Sequence, residues 1–398
     1  MRDEPSAGAL VDEARSTTGL SDLGSRHYEV FLDAWCEDLA SDRLSATGRK
    51  RLARIAVRNL CTRLRLEDAF RAHPEINDVA LPPIVRIMGF PRSGTTLLHN
   101  LMAATPGRRA LLRWELLEPL PPPEPTTFAT DARIALVQRG VDALRGTELE
   151  RMHWVEATDP EECTWGFADL TGLVGRGAGA VLPRWSAAVY DAPYGHMPTY
   201  VEYRRLIQLL LWRHPLPPDG VLVLKSPADT GVVQSFLEVF PEASVVFTHR
   251  DPYRVATSVT RIQELVAQPF MEAGASVTDA DRQRLLDGLS IAADAMVDAS
   301  QGFGDRVHHI TYSDLMADPA GVVNRIWNAT GWQADAAATT AAVNGFLESQ
   351  RHGGRAAPPP SYDDHGLNPS DVRAEPSFAR YQSTFNVPTE DVRLTQPN

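Results

Sequence analysis

Lysine is almost missing from this 398-residue chain: 39 residues are lysine or arginine, and only Lys50 and Lys225 are lysine. In such an arginine-rich background, a retained lysine marks a position where a compact ammonium does what a planar guanidinium cannot. Lys50 sits among Arg49, Arg51 and Arg54 on what reads as a solvated helix face. Lys225 closes the apolar run 221–224, and the ends of parallel strands are where α/β proteins place functional groups. Cysteine is scarce too. Cys36, Cys61 and Cys163 are widely spaced and odd in number, so they form neither a disulfide framework nor a metal pattern. A reducing compartment is expected. No stretch reaches the ~18 apolar residues of a membrane span. The N-terminal MRDEPSAGAL has no basic segment followed by an apolar one, so a cytoplasmic protein is expected. Positive charge is also short overall. A net charge of −12 argues against a nucleic-acid partner, because phosphate backbones attract basic surfaces.

What the chain does contain is a strand that runs through a glycine-bounded loop into a helix. Residues 84–101 read IVRIMGFPRSGTTLLHNL: an apolar strand over 84–88, then Gly89 to Thr96, then an apolar helix. Backbone N–H groups gathered at such a helix start receive an anion. The GxxxxG spacing is that of a Walker loop, but Thr95 stands where the Walker lysine belongs. A nucleoside triphosphatase needs that lysine on its β- and γ-phosphates, with Mg²⁺ beside it. Here the cation, Arg92, lies inside the loop. A phosphate-like group other than Mg–ATP is expected, without a metal.

The remaining pattern alternates helix and strand. Helical spacing covers 28–39 and 51–70, and the segment 116–127 (LLEPLPPPEPTT) is too proline-rich for either element. Further helices are expected over 131–144, 200–212, 231–240, 252–266, 281–300 and 319–330, and strands over 221–225, 244–249 and 306–311. Short apolar strands joined by helices predict an α/β fold with a central parallel sheet covered by helices on both faces. Residues 1–80 are expected to form an N-terminal helical segment packed on a domain spanning 81–398. Within that domain, 107–205 reads as an insertion to one side of the site. Its section 150–200 carries Trp154, Trp165, Phe167, Trp185, Tyr190, Tyr194 and Tyr200, which suit either a cover over a site or packing beneath loops. A polar loop, RHGGRAAPPPSYDDHG, precedes a short helical tail over 378–385.

Three segments combine into a recognisable pattern: the loop PRSGTT, the stretch SVVFTHRDPYRVATS over 244–258, and ITYSDLMADP over 310–319. Together they resemble the sulfotransferase superfamily, and most closely a bacterial family with the pattern GFPRSGTTLLHNL…LKSP…THRDP. The resemblance implies a P-loop-like fold and a 3′-phosphoadenosine 5′-phosphosulfate donor. It implies that Arg92, Ser93, Gly94, Thr95 and Thr96 wrap the 5′-phosphosulfate, and that Arg250 and Ser258 recognise the 3′-phosphate. Tyr312 matches a tyrosine near the nucleotide. Arg92 and Lys225 become candidates for stabilising the bridging oxygen and the transferring group, in the manner of an oxyanion clamp. The acceptor is then a hydroxyl on a small molecule, with no nucleic-acid partner, no membrane span and a homodimer left open.

The proton acceptor has two candidates. Glu115, in LLRWELLEP, lies about twenty residues past the loop, where several superfamily members place a catalytic glutamate. Burial against Trp114 would raise its pKa into a useful range. Asp229, in LKSPADT, stands where similar bacterial proteins have histidine, and an unperturbed aspartate is a much weaker base. Glu161 and Glu162 (DPEEC) match a family pattern on the acceptor side. His99 reads as a packed histidine, and His214, His308 and His309 need no special role. The rival outcomes are sulfation coupled to elimination or cyclisation, a P-loop kinase or NTPase, and a nucleotide-binding protein without turnover.

Overall fold

The computed structural model describes residues 5–172, 181–191, 196–332, 334–352 and 365–390. Tyr194 and residues 353–364 of the expected polar loop lie outside the described residues.

Five strands form one sheet: β1 (Ile84–Gly89), β2 (Arg108–Ala110), β3 (Val221–Lys225), β4 (Ala243–His249) and β5 (Val307–Thr311), in the order β2-β3-β1-β4-β5. All neighbours are parallel, with Ile87 opposite Lys225, Gly89 opposite Thr248 and His249 opposite Thr311. β1 is therefore central, flanked by the strands that end in Lys225 and His249. In open α/β sheets such strand ends meet in the crevice where ligands bind.

Every residue of β1 and β3 is buried, which is why these strands read as continuous apolar runs rather than as alternation. Alternate side chains still divide between two cores. Ile84 and Met88 join Leu222, Leu224, Val245 and Phe247 on one face. Helices Met197–Trp212, Val233–Val239, Asp279–Gly302 and Pro376–Phe385 contribute to that core. Val85 and Ile87 join Val221, Val223 and Val246 on the other. Helices Thr95–Ala103, Pro319–Ala329 and Ala336–His352 pack there. The expected α/β architecture with helices on both faces is what the chain forms. β2 is the strand that the sequence did not signal: its three residues, Arg-Arg-Ala, show no apolar pattern, and it pairs with β3 directly after Gly107, whose carbonyl accepts the Val221 N–H at 3.2 Å.

The N-terminal helices Ala7–Thr18, Tyr28–Leu39 and Ala46–Ala72 build another core with Leu170, Val181, Leu182, Trp185 and Met271. Trp35 meets Trp185 edge to face at 5.5 Å. The buried Asp38 accepts the backbone N–H groups of Arg184 (3.2 Å) and Trp185 (2.9 Å), so one helix fixes the start of the next, Pro183–Tyr190. Trp185 and Tyr200 are fully buried and Phe167 nearly so, so these three aromatics of the 150–200 section are packing residues. Among the described residues, no helix is long and apolar enough to cross a membrane.

Candidate active site at the strand ends

The loop after β1 owes its shape to three left-handed residues: Gly89 (φ 115°), Arg92 (φ 66°) and Gly94 (φ 92°). A Cβ on Gly89 would stand 2.4 Å from the Thr248 carbonyl oxygen, so only glycine lets β1 and β4 close here. Arg92 lacks that freedom, and a non-glycine residue in this region costs about 1–2 kcal/mol. Its side chain fixes it from both ends. Nε donates to Ser258 Oγ at 3.1 Å and Nη1 to the Met152 carbonyl at 3.0 Å. The Ser93 hydroxyl bonds the Phe90 carbonyl and the Thr248 hydroxyl, riveting the loop to β4. Ser93 is thus framework, whereas Thr95 and Thr96 open the helix Thr95–Ala103, beside the N–H groups that no helical carbonyl satisfies.

Arg250, one residue beyond β4, folds back over this loop. Its Nη1 donates to the Arg92 carbonyl at 2.8 Å, and its guanidinium lies 4.0 Å from the centre of the Tyr312 ring. Tyr312 in turn packs on Gly94: a Cβ there would be 3.1 Å from its ring. Arg92, Gly94, Arg250, Ser258 and Tyr312 are therefore one contiguous group. Behind it, Tyr381 OH accepts the Arg250 backbone N–H (3.3 Å) and meets His249 Nδ1 at 3.0 Å.

Lys225 is wholly buried at the end of β3. Its Nζ lies 2.8 Å from Glu162 Oε1 and 3.9 Å from Glu161 Oε1. Glu161 also pairs with Arg113, whose guanidinium stacks 4.1 Å from the centre of the Trp165 ring. These surroundings separate the two carboxylates. Burial pushes Glu161 up, but Lys225 and Arg113 outweigh it and hold the group below the ordinary carboxylate range. Burial also pushes Glu162 up, and with Glu161 beside it the Lys225 charge does not bring it back. Neighbouring carboxyls held in such different surroundings are suited to different protonation states. His153 faces the same cluster. Burial lowers it to about 4, with Glu161, Lys225, Arg92 and Arg113 acting on it, so it is a neutral imidazole at pH 7.

The two bases expected from sequence are placed differently. Glu115 is fully buried, but its Oε1 accepts from Arg109 at 2.5 Å and its Oε2 from the Leu112 N–H at 2.9 Å. It caps the short helix Arg113–Leu117 through the second of these bonds. Burial raises its pKa despite Arg109, while both oxygens are committed. Asp229 pairs with Arg86 of β1 and accepts the Tyr200 hydroxyl at 2.7 Å. Arg86 is buried, between the rings of Tyr200 (5.3 Å) and Phe236 (4.2 Å). Asp229 is thus the counter-ion of a strand arginine. His99 Nε2 donates to the Val223 carbonyl (3.1 Å), and burial holds its pKa down to about 3. Sequence reasoning missed Arg113, although it stands two residues before Glu115 in the same short helix. His153 carried no signal of its own.

A profile of the sulfotransferase family matches residues 83–336, a span that contains the loop, Lys225, Arg250, Ser258 and Tyr312. The chain belongs to the sulfotransferase family. Among its relatives are the omega-hydroxy-beta-dihydromenaquinone-9 sulfotransferases Stf3 of Mycobacterium bovis and Mycobacterium tuberculosis. Each is 26% identical over 276 residues, covering 64% of this chain and 63% of the relative. The chain thus spans somewhat less than two thirds of the curated relatives it matches. The crystal structure of sulfotransferase STF9 from Mycobacterium avium superposes with a TM-score of 0.86 at 25% identity, covering 98% of this chain and 99% of that one. STF1 from Mycobacterium tuberculosis H37Rv shares the fold, with a TM-score of 0.76 at 22% identity over 96% of this chain and all of its own.

Proposed function

We propose that this chain moves a sulfuryl group from 3′-phosphoadenosine 5′-phosphosulfate to a hydroxyl of a small molecule. The observation that carries the proposal is the buried Lys225 ammonium beside a split carboxylate pair, across from the arginine-bearing phosphate loop. The residues fit the donor. Thr95, Thr96 and the helix start suit the 5′-phosphosulfate, and the Arg250 fork with the nearby Ser258 suits the 3′-phosphate. When bound, the donor supplies an activated sulfuryl group on a phosphate leaving group.

The chain's own residues then divide the work. Glu162 takes the proton of the acceptor hydroxyl, with Glu161 remaining an anion that holds Lys225 and Arg113 in place. The acceptor oxygen bonds to sulfur as the bond from sulfur to the bridging oxygen breaks. Lys225 and Arg92 meet the charge that grows on that bridging oxygen and on the sulfuryl oxygens. Such transfer depends on position and fixed charge more than on covalent chemistry. Glu115 and Asp229 serve as supports in this reading, and residues 107–205 form the acceptor side.

For the acceptor, the two Stf3 relatives are named for an omega-hydroxylated dihydromenaquinone, which makes hydroxylated isoprenoids and aromatic alcohols the first compounds to try. We place the reaction in the cytoplasm, where the free thiols of Cys36, Cys61 and Cys163 stay reduced. The test pairs calorimetric titration of adenosine 3′,5′-bisphosphate with an acceptor screen read by mass. Product heavier by one sulfuryl group supports the proposal. Binding of Mg–ATP without affinity for the bisphosphate, or product lighter by one water, overturns it.

A further inference from the structure

The fork of Arg250 already holds an anion, and that anion belongs to the chain itself. Arg250 Nε lies 2.8 Å from Glu390 Oε1 and Nη2 lies 3.0 Å from Oε2, a two-pronged pair. Arg254 Nε stands 3.9 Å from the same carboxylate. The backbone of Glu390 is fastened as well. Its N–H donates to Asp251 Oδ2 at 2.8 Å, and its carbonyl accepts from Arg373 Nη2 at 3.1 Å. Arg373 and Asp251 are themselves an ion pair. A residue 140 positions away in sequence is thereby seated on the arginine next to the phosphate loop.

A carboxylate and a phosphate present oxygens to a guanidinium in the same two-pronged way, so each satisfies the fork and neither shares it easily. Two anions on one arginine also repel. We propose that the Glu390 carboxylate is a built-in competitor for the 3′-phosphate, and that a 3′-phosphorylated nucleotide binds by displacing it from Arg250. This rests on the proposed reading in which Arg250 binds the 3′-phosphate. The apparent affinity is then reduced by the fraction of molecules in which the fork is open. Displacement removes the side-chain anchor of Glu390 and leaves its backbone bonds to Asp251 and Arg373 to hold the chain, so nucleotide occupancy is reported as loosening around Glu390.

The test titrates adenosine 3′,5′-bisphosphate and adenosine 5′-phosphate into the wild type, Glu390→Gln and Arg250→Ala. Glu390→Gln should bind the bisphosphate about tenfold more tightly, as expected if the fork is closed nine-tenths of the time, with the monophosphate unchanged. On the wild type, hydrogen exchange over 386–390 should speed up when the bisphosphate saturates the protein. A Glu390→Gln protein with unchanged or weaker bisphosphate affinity overturns the competitor, as does unchanged exchange in the wild type. Arg250→Ala separates the two levels: it should weaken the bisphosphate far more than the monophosphate. Equal loss of both nucleotides defeats the assignment of Arg250 itself.

Discussion

The Lys225 ammonium lies 2.8 Å from Glu162 and 3.9 Å from Glu161, and the two carboxyls beside this one charge are displaced in opposite directions. Glu162→Gln should therefore lower turnover by ~10²–10⁴-fold, the range of a lost general base, while leaving bisphosphate affinity intact. Because burial raises the Glu162 pKa, the acid limb of the rate profile should lie above the ordinary carboxylate value, with turnover rising as pH climbs through it. A Glu162→Gln enzyme with wild-type turnover moves the base elsewhere.

Lys225→Met should cost more than activity. Loss of an aimed donor to developing charge is worth ~10²–10³-fold in turnover. It also leaves the partly buried Glu162 without its cation and the buried Glu161 with Arg113 alone, a defect that destabilises by up to about 3–5 kcal/mol. Lys225→Arg should fail to restore turnover, since a planar fork does not fit a wholly buried slot shaped for an ammonium. Thermal unfolding and steady-state rates on the two variants check both halves. Full turnover in Lys225→Arg would show that charge alone suffices.

Glu115→Gln should act on stability rather than on chemistry. The carboxylate caps its helix through the Leu112 N–H and pairs with Arg109. Neutralising it weakens charge-assisted bonds worth about 1.5–3 kcal/mol each. The melting temperature should fall while turnover per folded molecule stays near wild type. A large loss of turnover with an unchanged melting temperature would return Glu115 to the chemistry.

Much of the fold was legible because burial on both faces leaves an unmistakable mark. β1, β3 and β4 are almost unbroken apolar runs, and the turn glycines Gly89 and Gly94 declare the loop between strand and helix. β2 left no such mark, since Arg108 and Arg109 owe their strand to the neighbour they meet. The site was half legible for a related reason. Lys225 and Arg250 are charges at apolar strand ends and Arg92 lies in a glycine-bounded loop, all of which spacing reveals. Whether a carboxylate is free or committed depends on partners distant in sequence. Arg86 and Asp229 are 143 positions apart and Arg113 and Glu161 are 48 apart, so no local pattern distinguishes Glu162 from Glu115.

The Arg86–Asp229 pair makes a further prediction. Asp229→Asn leaves a guanidinium buried without its counter-ion and should destabilise by about 3–5 kcal/mol. Replacing both, as Arg86→Met with Asp229→Asn, should recover much of that loss, because a buried pair exchanged for apolar packing is often neutral. Denaturant unfolding of the two singles and the double closes the cycle. Additive losses would show that the two side chains do not depend on each other.

The last prediction concerns pH and the wall behind Arg250. Tyr381 OH accepts the Arg250 N–H and is free to donate its own proton to His249 Nδ1. In that arrangement His249 carries its proton on Nε2 and donates to His309 Nδ1 at 3.0 Å. Protonating His309 would set two donors face to face. Burial, then the neighbouring His309, holds His249 down to about 3, and burial, then His308, holds His309 down to about 4. Both folded values lie below the ordinary 6.5, so the native state binds fewer protons than the unfolded chain. Their stabilising contribution is complete above about 6.5 and falls away as pH drops towards 4 and then 3. His309 is exposed on one side, so water screens part of its share and His249 carries more. Melting temperatures should decline below pH 6.5 in the wild type and decline less steeply in His249→Gln, which keeps hydrogen bonding without a charge to gain. Equal slopes in the two proteins would remove this stack from the acid response.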